Sequence, residues 1–142
     1  MDLGTVFCAS VVRAPYKLAF VDGATRVSYG EWYEDIRRLA GGLSSLGLGR
    51  GDHLFCTMRN RYEMATLYWA CQMLAAVFTP FNWRATKKEL EFVIQNAEPK
   101  IVAFDGSCEK SILPAIEFGN FEERMIVTTD EVTIGTKISY LL

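Results

Sequence analysis

Two periods organise the apolar positions of this chain. Trp32, Ile36, Leu39, Leu43 and Leu46 recur every three or four residues, which places them on one face of a helix. Ser28-Tyr29-Gly30-Glu31 precedes them with the pattern of a capping box, and Gly47 follows where a helix C-terminus needs a left-handed residue. Thr86-Lys87-Lys88-Glu89 repeats that start before Leu90, Val93, Ile94 and Ala97. Between these two helices, residues 61–75 carry Met64, Leu67, Tyr68, Trp69, Cys71, Met73 and Leu74, so this third helix is apolar nearly all round and needs burial on more than one side. Its start, Asn60-Arg61-Tyr62-Glu63, is a weaker version of the same cap signal.

Short β-like runs lie between the helices. Ala19 to Asp22 and Arg26 to Ser28 flank Asp22-Gly23-Ala24-Thr25, which predicts a hairpin. His53 to Met58, Val77 to Phe81, Lys100 to Phe104 and Arg124 to Thr129 read as further strands, with a short helical segment around Pro114. Strand and helix alternate throughout. The expected fold class is therefore α/β, a mostly parallel sheet with helices on both faces and a short N-terminal hairpin. We divide the chain into a loose opening segment, 1–18, a main body, 19–129, and an atypical ending, 130–142.

Composition narrows the classes without choosing among them. With 142 residues, half of them hydrophobic, the chain can build one core that buries roughly two thirds of its unfolded surface. Its 15 basic and 17 acidic residues alternate in sign, so no electrostatic footprint for nucleic acid or an anionic membrane is expected. Cys8, Cys56, Cys71 and Cys108 show no metal or disulfide spacing and read as isolated thiols of a reducing compartment. No apolar run approaches the ~20 residues of a membrane helix, and Met1-Asp2-Leu3-Gly4 lacks a basic leader. A cytoplasmic location is the expectation.

Candidate chemistry is sparse. The glycines from Gly41 to Gly51 close a helix and lead into a strand, the reverse of a phosphate loop, and the dipole at that helix end repels anions. His53, the one histidine, has no second histidine or elbow serine to work with and reads as a strand-entry residue. Glu31, Glu63 and Glu89 each stand three residues past a cap position, which explains them better than acid–base catalysis does. Asn82-Trp83-Arg84 directly follows a strand, where ligand contacts of α/β sheets gather. The structural alternative has the Trp packing over the sheet end while the Arg pairs with a helical Glu.

From Ala19 to Phe104 the chain resembles the start of the AMP-forming acyl-CoA synthetases, the superfamily of adenylate-forming enzymes. Val27-Ser28-Tyr29-Gly30-Glu31-Trp32 is similar to the family's first motif, and Leu39-Ala40-Gly41-Gly42-Leu43 through Gly51-Asp52 to the helix exit that follows it. Ala70-Cys71 through Pro80-Phe81-Asn82 resembles the next motif, with Ala75 where the family usually has glycine. The resemblance implies the N-terminal part of the adenylate-forming large domain.

It also implies a reaction in two steps. A carboxylate attacks the α-phosphate of Mg-ATP to give an acyl-adenylate and pyrophosphate, and the thiol of CoA then displaces AMP. ATP, Mg and CoA are thus the cofactors and co-substrate implied for the whole family protein, with a fatty or other carboxylic acid as substrate. The family's glycine-rich phosphate loop and its catalytic lysine have no counterpart here, because Thr128 to Lys137 lacks glycine density and adds Asp130 and Glu131. No catalytic, cofactor-binding or metal residue is assigned, and the chain alone is expected to be inactive. Self-association, or association with the missing remainder of such a domain, is the expected partnership. The alternative reading is a non-catalytic binding or regulatory module built on the same scaffold.

Overall fold

The Asp2 carboxylate accepts the Thr5 amide at 2.8 Å and caps helix α1 (Leu3–Arg13), in a stretch where the sequence pattern predicts only a loose opening. Its apolar contacts are supplied from far along the chain: Phe7 stacks on Trp69 at 4.5 Å and meets Trp32 edge-on at 5.5 Å. A helix of this length is marginal unless such packing holds it, which is why local pattern misses it. The computed structural model describes residues 2–122, 126–129 and 136–137.

The hairpin forms as expected from β1 (Leu18–Asp22) and β2 (Thr25–Ser28), with Gly23 at φ 56° in the turn. In α2 (Tyr29–Ser45) both halves of the capping box are made, Ser28 N donating to Glu31 Oε2 at 2.8 Å and Glu31 N to Ser28 Oγ at 3.3 Å. Trp32, Ile36, Leu39 and Leu43 are buried along its inner face, and Gly47 takes φ 95° just beyond its end. After β3 (His53–Thr57) comes α3 (Tyr62–Leu74), whose expected capping glutamate is absent from that role. Glu63 instead binds the Arg61 guanidinium at 2.7 and 3.1 Å, and the first helical amide, Tyr62 N, donates to Asp22 Oδ2 of the hairpin at 2.9 Å. No residue of α3 is exposed, as its all-round apolar surface requires.

Helix α3 ends on Ala75 in the left-handed region, at φ 53° and ψ 29°. A Cβ there carries a steric cost that glycine avoids, partly offset by the greater chain entropy glycine has when unfolded. Ala75→Gly is therefore expected to raise stability by about 0.5 to 1 kcal/mol, read as a higher urea midpoint at unchanged slope. An unchanged or lower midpoint would contradict it.

The second half repeats the unit with β4 (Val77–Phe81), α4 (Lys87–Ala97) under a complete Thr86/Glu89 capping box, β5 (Ile101–Phe104), and α5 (Glu109–Gly119), then β6 (Ile126–Thr128) and β7 (Thr136–Lys137). Of the expected atypical ending, Thr136 and Lys137 are described, and they pair with β6; the rest of 130–142 lies outside the described residues. The strands form one parallel sheet in the order β4-β3-β5-β6-β7. Alternation along the strands divides the core. Leu54, Cys56, Ile101, Ala103 and Val127 face the layer of α1, α2 and α3, while Phe55, Val102, Phe104 and Ile126 face α4 and α5. The fold is α/β with helices on both faces of a parallel sheet.

Candidate functional site

The strand order creates a crevice. From β3 the chain crosses to β4 through α3, then returns past β3 to β5 through α4 on the opposite face, so the loops after β3 and β5 diverge at the carboxyl edge of the sheet. Arg59, Asn60 and Arg61 leave β3 there, Asp105, Gly106 and Ser107 leave β5, and they enclose an open cleft of about 520 Å³.

Asp105 organises this edge. It is 2% exposed, and it accepts from Arg59 N at 3.1 Å, from Ser107 N at 3.0 Å and from Ser107 Oγ. Arg61 Nη1 lies 3.9 Å from its carboxylate and donates to Thr129 Oγ1 at 3.2 Å, so one guanidinium joins the start of α3 to the ends of β5 and β6. Beneath it the Cys108 thiol donates to the Thr57 carbonyl at 2.9 Å. Burial pushes the thiols of Cys56 and Cys108 up, and that of Cys71 up to about 12. Such thiols stay protonated and do not act as nucleophiles.

Next to this cleft, two cations approach the Trp83 ring. The Arg84 guanidinium carbon is 4.4 Å from its ring centroid and that of Arg59 is 5.4 Å away. Arg84 thus stacks on its neighbour rather than on a helical glutamate, and Asn82 Oδ1 accepts the Arg84 amide at 3.0 Å to hold the turn. A second hollow of about 540 Å³ runs from Asn82 and Trp83 to Met58 and Asn60. A third, of about 510 Å³, is an apolar groove between hairpin, α3 and β4, lined by Phe20, Met64, Tyr68, Trp69 and Phe78. Trp69, which an all-round buried helix would hide, is half-buried because one side of it forms this groove. Asn60 borders all three hollows.

The other sequence candidates lie elsewhere. His53 opens β3 at the opposite edge of the sheet, its Nδ1 3.1 Å from Thr79 Oγ1. Glu31 and Glu89 are caps whose carboxyls are held below the usual range, first by the cap-residue amides and then by the Ser28 and Thr86 hydroxyls. Of the sequence candidates, Asn82 and Trp83 line the hollow beside the crevice, and Glu63 reaches its edge through Arg61. Asp105, Arg59 and Arg61 were missed, although an aspartate directly after a buried parallel strand, followed by Gly-Ser, marks such an edge. What the crevice offers chemically is a buried acid locked as a scaffold, and beside it an indole with two cations suited to an anionic ligand. Among the described residues no group of three or more His, Cys, Asp or Glu is placed to hold a metal, and no helix is long and apolar enough to cross a membrane.

The family profile of the AMP-binding enzymes matches residues 7–136, nearly the whole of this architecture. The chain belongs to the AMP-binding enzyme family. It is 35% identical over 92 residues to a long-chain-fatty-acid–CoA ligase of Thermus thermophilus, covering 65% of this chain and 16% of that protein. It is 29% identical to a long-chain-fatty-acid–CoA ligase of Mycobacterium tuberculosis, over 81% of this chain and 23% of the relative. This member of the AMP-binding enzymes thus spans about a sixth to a quarter of the length of those relatives. Its fold superimposes with TM-score 0.91 on a putative long-chain-fatty-acid CoA ligase from Rhodopseudomonas palustris, at 21% identity over 99% of this chain and 36% of that one. Coronafacic acid ligase from Pectobacterium brasiliense gives 0.88 at 22% identity, over 99% of this chain and 29% of that one.

Proposed function

We propose that this chain is the amino-terminal part of an AMP-forming acid–CoA ligase acting on a fatty or other carboxylic acid, and that it is inactive by itself. The observation that carries the reading is the family match over residues 7–136 to a fold whose switch-point crevice stands open. Every substrate of such a ligase is an anion: the acid, ATP and CoA. Arg59 and Arg84 over Trp83 suit contact with one of them, by charge and by stacking. ATP, Mg and CoA would supply the activation and the acceptor thiol. The donors at the crevice fit an anion at its rim rather than a triphosphate cradle, since the Asp105 carboxylate and the Arg61 guanidinium are already engaged with each other and with their neighbours. The apolar groove beside α3 and β4 would seat later parts of such a domain, or another copy in their absence.

A chimera tests the reading. Residues 7–136 would replace the matched stretch of the Mycobacterium tuberculosis ligase, with acyl-CoA formation followed. The expected result is synthesis that depends on fatty acid, ATP and CoA together. A chimera that folds, as judged by circular dichroism and cooperative melting, yet makes no acyl-CoA would overturn the proposal and favour the non-catalytic module.

A further inference from the structure

In this chain the outer side of α1 and the turn behind it carry a concentration of exposed apolar side chains. Among the described residues nine large hydrophobics are exposed, and six of them lie in the first 21 residues, so this is a concentration rather than scatter. Val12 and Tyr16 are the most open, at 83% and 95%, with Leu3, Val6 and Leu18 beside them in sequence. The orientation of α1 is set from below. Gly4 and Phe7 are buried, and a Cβ on Gly4 would come within 3.4 Å of the Gln72 carbonyl of α3, so the opposite side must look outward.

Between Asp2 and Asp22 the charges along the chain have one sign. No Asp or Glu occurs between Leu3 and Val21, whereas Arg13 and Lys17 are exposed there and Arg26 is the cross-strand partner of Val21 in the hairpin. The carboxylates that flank this stretch in sequence sit at helix starts: Asp2 accepts Thr5 N, Asp22 accepts Tyr62 N and, beyond them, Glu31 accepts Ser28 N. Charge counted along the whole chain averages over this stretch. Apolar side chains set among cations, with a tyrosine able to place its ring low and its hydroxyl in water, are the chemistry of an interfacial helix. Pairing with a second copy through the same face would bring like charges together.

We propose that this face docks α1 in the interface of an anionic lipid bilayer. The 142-residue chain would be floated with vesicles of phosphatidylcholine alone or mixed with phosphatidylglycerol. It is expected to float with the anionic vesicles and to be released by salt. Replacing Arg13 and Lys17 by Gln should weaken binding about fivefold for each cation removed, and Val12→Ser with Tyr16→Ser about tenfold or more. Phe92→Ser, at a side chain 68% exposed on α4 across the sheet, should change nothing. All of these side chains are open to solvent, so the variants should melt like the parent. Absence of flotation, equal flotation on neutral vesicles, or equal loss in the Phe92 variant would overturn the proposal. So would light scattering in which the Val12 and Tyr16 changes dissolve an oligomer without altering flotation, which would assign the face to a second copy.

Discussion

Asp105→Ala is expected to lower the unfolding free energy by about 3 kcal/mol. The carboxylate is 2% exposed and serves several donors at once, namely the Arg59 and Ser107 amides and the Ser107 hydroxyl, with the Arg61 guanidinium at 3.9 Å. Alanine would leave the two amides at a crowded strand edge without their acceptor, each costing roughly 1 to 3 kcal/mol if it stays dry. Arg61 would keep Glu63, which limits the damage on that side. Asp105→Asn keeps the shape and one acceptor oxygen, so it should recover part of the loss. Urea unfolding of both variants is the measurement. A loss for alanine under about 1 kcal/mol would mean that water replaces the carboxylate and that this edge is not held by it.

The chain by itself is expected to give no acid-dependent ATP–pyrophosphate exchange. Exchange reports the reversible attack of a carboxylate on the α-phosphate, and its transition state concentrates negative charge that must be met by prepositioned donors. The cations at the crevice do not converge for that purpose, because Arg61 is held by Glu63 and Asp105 while Arg59 and Arg84 lie over Trp83. The sequence from Thr128 to Lys137 lacks glycine density and carries two carboxylates, Asp130 and Glu131, unlike a triphosphate loop. Exchange at the level of a boiled-protein blank, with any fatty acid added, is the expected result. Exchange that appears only when the acid is present, and that disappears on its removal, would defeat the fragment reading.

Local chemistry accounts for what was legible in advance. The two complete capping boxes, the hairpin turn at Gly23 and the helix exit at Gly47 all depend on residues within a few positions of one another, so spacing suffices to place them. Strand and helix alternation likewise leads to the parallel sheet, and the ordered motifs to the AMP-binding enzymes. Glu63 shows where such reasoning stops. Its sequence position suits a cap, but Arg61 at closer reach takes the carboxylate, and the hairpin's Asp22 supplies the helix start from 40 residues away.

The sequence by itself determined the element order from the hairpin to β6, the period of each amphipathic face and the family, because those are properties of near neighbours and of motif order. Only the tertiary structure decided that residues 3–13 are helical, since Phe7 finds its partners on α2 and α3. It also decided that Arg84 rests on Trp83, that Arg61 joins three strand and helix ends around Asp105, and that Val6 and Val12 of α1 stay exposed while Phe7 is buried. These depend on which strand lies beside which. The crossing from β4 back over β3 to β5 sets that order, and with it the residues gathered at the carboxyl edge.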